Sequence, residues 1–154
     1  MSRRQTVPAK WLIVAGGAPI GAAKRLPRGS GLLLLQEPPA TEMRRLRILA
    51  RERQLQLVIE NRRTAARVHD GRELRKALLA RSRLIFLSPL FPTSTHPDWK
   101  PAPRMRAAAL ARLGGRRLIA LGGMNERRYA KVAPLGFVGW AGVSAWAELN
   151  TRRR

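Results

Sequence analysis

A chain of 154 residues, 45% of them apolar, is long enough to bury a sizeable core, and one domain is expected over 1–154 with short basic tails at 1–8 and 150–154. Its 26 arginines and 5 lysines against 9 acidic residues give a formal charge of +22, which favours anionic partners or a solvated basic surface. With no cysteine, disulfides, thiolate zinc sites and a cysteine nucleophile are excluded, and the longest uncharged run, VAPLGFVGWAGVSAWA, is too short and glycine-rich to span a bilayer. A soluble cytoplasmic protein without membrane contact is the expectation.

The chain opens with MSRRQTVPAKWLIVAGGAPIGAA, in which Gly16, Gly17 and Pro19 interrupt the apolar run after residue 14. That interruption predicts a first strand and a flexible loop instead of a secretion signal. The loop AGGAPIGAAK fits neither G-x-G-x-x-G nor G-x-x-x-x-G-K-[ST]. Further apolar runs follow as GLLLLQ at 31–36, LQLVIE at 55–60, LIFLS at 84–88, LIALGG at 118–123 and FVGWAGV at 137–143, with a shorter one near 66–69. They are continuously apolar instead of alternating, which predicts parallel strands covered on both faces.

Helix-period segments lie between these runs. In TEMRRLRILARER, Met43, Leu46 and Leu49 or Ala50 share one face and the arginines take the other. Asp70 and Glu73 have capping-box spacing at the start of DGRELRKALLA. Pro103 opens PRMRAAALARL and Gly114 ends it, while Asn125 caps ERRYAKV and Ser144 caps AWAEL. Strand and helix alternate throughout, the order of a parallel α/β fold, either an open doubly wound sheet or a (β/α) barrel.

Gly122 and Gly123 directly follow one strand and precede an Asn-capped helix, and Gly142, Val143 and Ser144 repeat the arrangement after the next. Glycines let the backbone approach an anion, and the loops after the last two strands are where (β/α) barrels often hold phosphate. Ser88 and Pro89 end the LIFLS strand, so Thr93, Ser94, Thr95 and His96 emerge at the same rim and are candidates to donate to a phosphorylated ligand.

LIFLSPLFPTSTHP, LIALGGMNERR and GFVGWAGVSAW together resemble the second half of the thiamine phosphate synthase family and its thiazole tautomerase relatives. In that family strands end in Pro-Val-Phe-x-Thr, in Gly-Gly-Ile or Gly-Gly-Met, and in a Val-Ser-Ala turn. LPRGSGLLLL and VHDGREL look like further pieces of it. The resemblance implies a (β/α)8 enzyme that joins hydroxymethylpyrimidine diphosphate to thiazole phosphate, releasing pyrophosphate with the help of Mg2+. By position it implies that Thr93, Thr95, Gly123, Val143 and Ser144 bind the thiazole phosphate, and that His96 stands where the family has a lysine reaching the diphosphate.

On the diphosphate and metal side the chain departs from the family. Gln36 and Pro38 replace its Arg and Lys, and Glu60 and Asn61 stand in place of its Asn-Asp, leaving Glu60 as the magnesium-side carboxylate if it points inward. Pro89 occupies the position of the tautomerase histidine; His69 and Asp70 offer an acid–base pair, although Asp70 is better read as a helix cap. A (β/α)8 barrel takes about 250 residues. The expected fold is therefore an abbreviated barrel of six or seven parallel strands with Arg-rich helices outside, open on one side or completed by a partner. An unpaired strand edge makes a homo-oligomer the expected state. A thiamine phosphate synthase-like protein binding a phosphorylated small molecule is the first functional reading. The other is a catalytically degenerate barrel acting as a basic nucleic-acid-binding or structural protein.

Overall fold

The apolar runs become strands because both of their faces find cover. The computed structural model describes residues 6–16 and 19–143. Among these residues are seven strands: β1 (Lys10–Val14), β2 (Gly31–Leu34), β3 (Gln56–Ile59), β4 (Ala65–Val68), β5 (Leu84–Leu87), β6 (Leu118–Ala120) and β7 (Gly139–Gly142). All pair in parallel in the order β3-β2-β1-β7-β6-β5-β4, forming a nearly closed α/β barrel of the TIM type. The short run near 66–69 is thus a true strand, the fourth in the chain.

Alternate residues divide between two apolar layers. Trp11, Ile13, Leu33, Phe86, Ile119 and Ala141 fill the barrel, where the Trp11 and Phe86 rings meet edge to face at 5.5 Å. Their neighbours Leu12, Leu34, Ile85, Leu87, Leu118 and Ala120 face outward onto the helices. Gly31 makes room for the large interior indole, since a Cβ there would lie 2.1 Å from Trp11 Cδ2.

The helices are α1 (Pro19–Arg25), α2 (Ala40–Glu52), α3 (Gly71–Leu79), α4 (Arg104–Gly114) and α5 (Glu126–Val132). α1 falls in the stretch read from sequence as a flexible loop. Met43, Leu46 and Ala50 of α2 are buried, and so are Leu74 and Ala77 of α3. Asp70 and Asn125 cap as their spacing predicts, each accepting a backbone N–H at 2.8 Å, from Glu73 and Arg128 respectively. Pro103 immediately precedes α4, which runs through Gly114 and ends at Gly115 with φ +59. The helix expected at 145–149 and its cap Ser144 lie outside the described residues, as does Gly17. Among the described residues no helix is long and apolar enough to cross a membrane.

The barrel is open between β3 and β4, and the register explains how five residues, 60–64, join them. Starting from Val68, register partners run through Leu87, Ala120 and Trp140 to Lys10. The row through Val14, four residues further along β1, leads by Leu34 to Ile59. Pairing therefore climbs round the wall, the stagger that tilted strands impose on a barrel. It sets the carboxyl end of β3 beside the amino end of β4, where Asn61 and Ala65 exchange backbone hydrogen bonds of 3.2 and 3.1 Å. No crossover helix is needed. A side opening of about 690 Å³ remains at this seam, with Val7, Val58, Asn61, Thr64 and Leu84 among its walls.

Candidate functional site at the barrel mouth

The carboxyl ends of the strands surround a cavity of about 170 Å³. β5 and the loop after it supply Ser88, Thr93, Thr95, His96 and Trp99 to its wall. The β6 turn adds Gly122 and Gly123, and the end of β7 adds Gly142 and Val143. The two glycine turns and the hydroxyl loop thus share one cavity. Ser94 is exposed and not in the lining, and Ser144 lies outside the described residues.

The β6 turn can be made only by glycine. Gly122 has φ +90 and a Cβ on it would sit 2.6 Å from Pro89 Cα; Gly123 has φ +61 and its Cβ would sit 2.3 Å from Pro92 O. The close approach lets the two loops pair: Leu90 N–H donates to Leu121 O at 3.0 Å and Phe91 N–H to Gly122 O at 3.1 Å. Amide and carbonyl of one trans peptide point in opposite directions, so the Gly123 N–H is directed away from Phe91. Arg128 holds the turn from behind, donating to Gly123 O, with its guanidinium 5.2 Å from the Phe91 ring centroid.

The 88–102 loop is closed at its base by Ala102 N–H donating to Pro89 O at 2.9 Å. Within it Thr95 N–H donates to Thr93 Oγ1 at 3.3 Å. His96 stacks on Trp99 with centroids 4.2 Å apart and planes 12° from parallel, and His69 meets the same indole edge-on at 4.9 Å. Trp99, 42% exposed, therefore offers an aromatic wall to the cavity. Sequence reasoning passed over it; its only signal is a large aromatic ring in a polar, proline-rich loop.

His69 and Asp70 do not pair. Asp70 caps α3, and the Glu73 amide that donates to it holds its carboxyl below the usual range. Glu73 in turn accepts from the His69 amide at 2.7 Å and lies 3.0 Å from His69 Nδ1. Away from the cavity, burial pushes the Tyr129 phenol up, and its hydroxyl donates to Phe137 O at 3.1 Å.

Glu60 and Asn61 do not join the lining of the mouth cavity. Asn61 Oδ1 accepts from the amides of Arg63 and Thr64, both at 2.9 Å, and so shapes the β3–β4 turn. Glu60 grips Arg67, its Oε1 2.6 Å from Nε and its Oε2 3.2 Å from Nη2. Arg67 does line the cavity. Two residues after the interior Ala65, it points inward by strand alternation. A charge inside AARV gave no sequence signal of this.

Magnesium prefers carboxylate and water oxygens. Among the described residues no three His, Asp or Glu side chains come together as a metal site, and both Glu60 oxygens are engaged by Arg67. This donor set does not fit a resident magnesium ion.

No curated protein matches the chain. Among solved structures, a thiamine phosphate pyrophosphorylase from Bacteroides thetaiotaomicron aligns with a TM-score of 0.59 at 16% identity, over 90% of this chain and 84% of that one. That is a likeness of fold. The thiamine monophosphate synthase family model matches residues 64–146, more than half of the chain and the part that builds most of the mouth, so the chain belongs to that family.

Proposed function

We propose that the chain is a thiamine phosphate synthase-like protein of thiamine biosynthesis that binds a thiazole phosphate in the mouth cavity. The observation that carries this reading is the convergence of Thr93, Thr95, Gly123, Gly142 and Val143 on one cavity. Hydroxyls and main-chain amides are the usual donors to a phosphate, and glycine permits the close approach. The Gly123 amide, turned away from Phe91, is the first donor in this reading, and the two threonine hydroxyls are the next. The indole of Trp99 and the imidazole of His96 offer flat faces to an aromatic ring beside the phosphate.

A ligand that binds only the folded state stabilises it, by about 2.7 kcal/mol at a hundred times Kd. Thermal unfolding with saturating thiazole phosphate is expected to shift upward, and no shift would remove the reading. Coupling to hydroxymethylpyrimidine diphosphate is a separate step of the proposal. Incubation of the protein with both substrates and magnesium, followed by detection of thiamine phosphate, tests it directly.

A second reading rests on the basic surface. α2 exposes Arg44, Arg45, Arg47 and Arg51, and the ion pairs among the described residues involve only Lys10, Arg67 and His69 on the basic side. Such a surface binds nucleic acid as a polycation, with affinity that falls steeply as salt rises. Tight binding that survives physiological salt would make this the leading function instead.

A further inference from the structure

We infer that four arginines before the amino ends of β4 and β5 form a groove for the phosphodiester backbone of a nucleic acid, at the opposite end of the barrel from the mouth. The inference rests on the second reading of the basic surface, which it narrows to one place. It is independent of thiazole phosphate binding.

Arg62, Arg63, Arg81 and Arg83 line a groove of about 890 Å³, and all four are exposed. Ser82, fully buried, ties their segments together. Its hydroxyl donates to Arg62 O and its carbonyl accepts from Arg117 Nη1 at 3.3 Å, while Arg83 N–H donates to Arg63 O at 3.0 Å. Asn61 Oδ1 fixes the turn that carries Arg62 and Arg63. Two arginine pairs from separate segments of the chain are thus held side by side on a braced backbone. Like charges brought together repel. Among the described residues no carboxylate lines the groove or forms an ion pair with any of the four. The carboxyl end of α3 beside it offers only about half a negative charge. The groove therefore carries surplus positive charge that an anionic partner neutralises. Its basic lining is arginine without lysine, and each guanidinium fork can take two phosphate oxygens. A concave site does not lie flat on a bilayer, and a phosphodiester chain, charged at every residue, engages successive forks more fully than the scattered carboxylates of a peptide. Among the described residues the lining has no aromatic ring on which a base could stack, so the contacts go to the backbone and carry no sequence preference.

The test is fluorescence anisotropy of the full-length chain with a labelled single-stranded RNA of mixed sequence, over a salt series through about 0.15 M. Wild type is compared with Arg62→Gln/Arg63→Gln/Arg83→Gln. A control with the same loss of charge is Arg72→Gln/Arg106→Gln/Arg127→Gln, exposed in the first turns of α3, α4 and α5 at the mouth end. The groove variant is expected to bind about tenfold or more weakly, with the slope of log affinity on log salt reduced by about 2, since each lost contact releases roughly 0.7 fewer counterions. The mouth-end variant is expected to stay close to wild type. Equal losses in the two variants, or poly-glutamate competing as well as unlabelled RNA, overturn the inference. If the groove variant does not fold, ultraviolet crosslinking of the RNA to wild type decides: crosslinks within 62–64 and 79–83 support the groove, and crosslinks only elsewhere overturn it. Absence of RNA binding by wild type at physiological salt removes this inference. Binding that the groove substitutions leave intact also removes it, but leaves the second reading standing.

Discussion

The arc of wall from β5 through β6 and β7 to β1 differs sharply from the seam between β3 and β4, although both are parallel strands of the same sheet. In the arc, β5, β6 and β7 are buried at every position, and the β5 and β6 loops interlock through glycines that leave no room for a Cβ. At the seam every residue of β3 is half-buried, and the residues that reach across it are a glutamate and an arginine. The arc has helices outside and filled barrel inside; the seam lacks one neighbour. Without a further strand beside it among the described residues, the wall of packing gives way to a polar edge beside the mouth cavity.

The largest expected contrast is in packing. Phe86→Ala, in the fully buried barrel interior, should lower unfolding free energy by about 3–5 kcal/mol. Val58→Ala at the half-buried seam should cost about 1 kcal/mol, because water already reaches the site. Denaturant unfolding of both variants checks this, and equal losses would show that the seam is as tightly packed as the arc.

Next comes the β6 turn. Gly123→Ala meets both a positive φ and the Pro92 carbonyl, whereas Gly115→Ala meets a positive φ in open space. The second, with ψ −147 beside φ +59, lies in a region essentially reserved for glycine and should cost about 1–3 kcal/mol in strain. The first should exceed it by about 1–2 kcal/mol through steric conflict and should also abolish the thermal shift with thiazole phosphate. If the two substitutions behave alike, close contact between the loops is not what shapes the mouth.

A smaller effect belongs to Asp70, at the start of the helix that follows the seam. Its carboxyl is held low chiefly by the Glu73 amide, so the cap stabilises the fold above the ordinary carboxylate range and loses that contribution as pH falls through the lowered value. Asp70→Ala should therefore melt lower than wild type at neutral pH, with the gap closing in acid. A gap that does not vary with pH would mean that the charge has no part in the cap.

The smallest effect is a gain. α2 and α3, the helices on either side of the seam, both end in Schellman motifs whose left-handed residue is Gln54 or Arg81, with φ +57 and +56. Gln54→Gly and Arg81→Gly should each stabilise by about 0.5 kcal/mol, the relief of strain outweighing the added freedom of the unfolded chain. Thermal melts resolve this, and destabilisation by either glycine would show that the side chain contributes contacts of its own.

The residues alone determined much of this protein, wherever the cause is local. Continuous apolar runs declared strands covered on both faces, and Asp70 and Asn125 announced helix starts because a cap acts within three residues. The Gly-Gly turn and the TST loop marked the rim because strand ends in a barrel share one face. What lay beyond the one-dimensional reading depends on residues far apart in the chain. α1 was passed over because Gly16, Gly17 and Gly21 weaken a short helix that tertiary packing supports through Ala23 and Leu26. The stagger that lets five residues replace a crossover emerges only after a full circuit of the sheet. Glu60, by position the magnesium-side carboxylate, is met across the open edge by Arg67 of β4. Propensity and spacing act over a few residues, whereas the pairing of a charge is settled by whichever strand lies beside it.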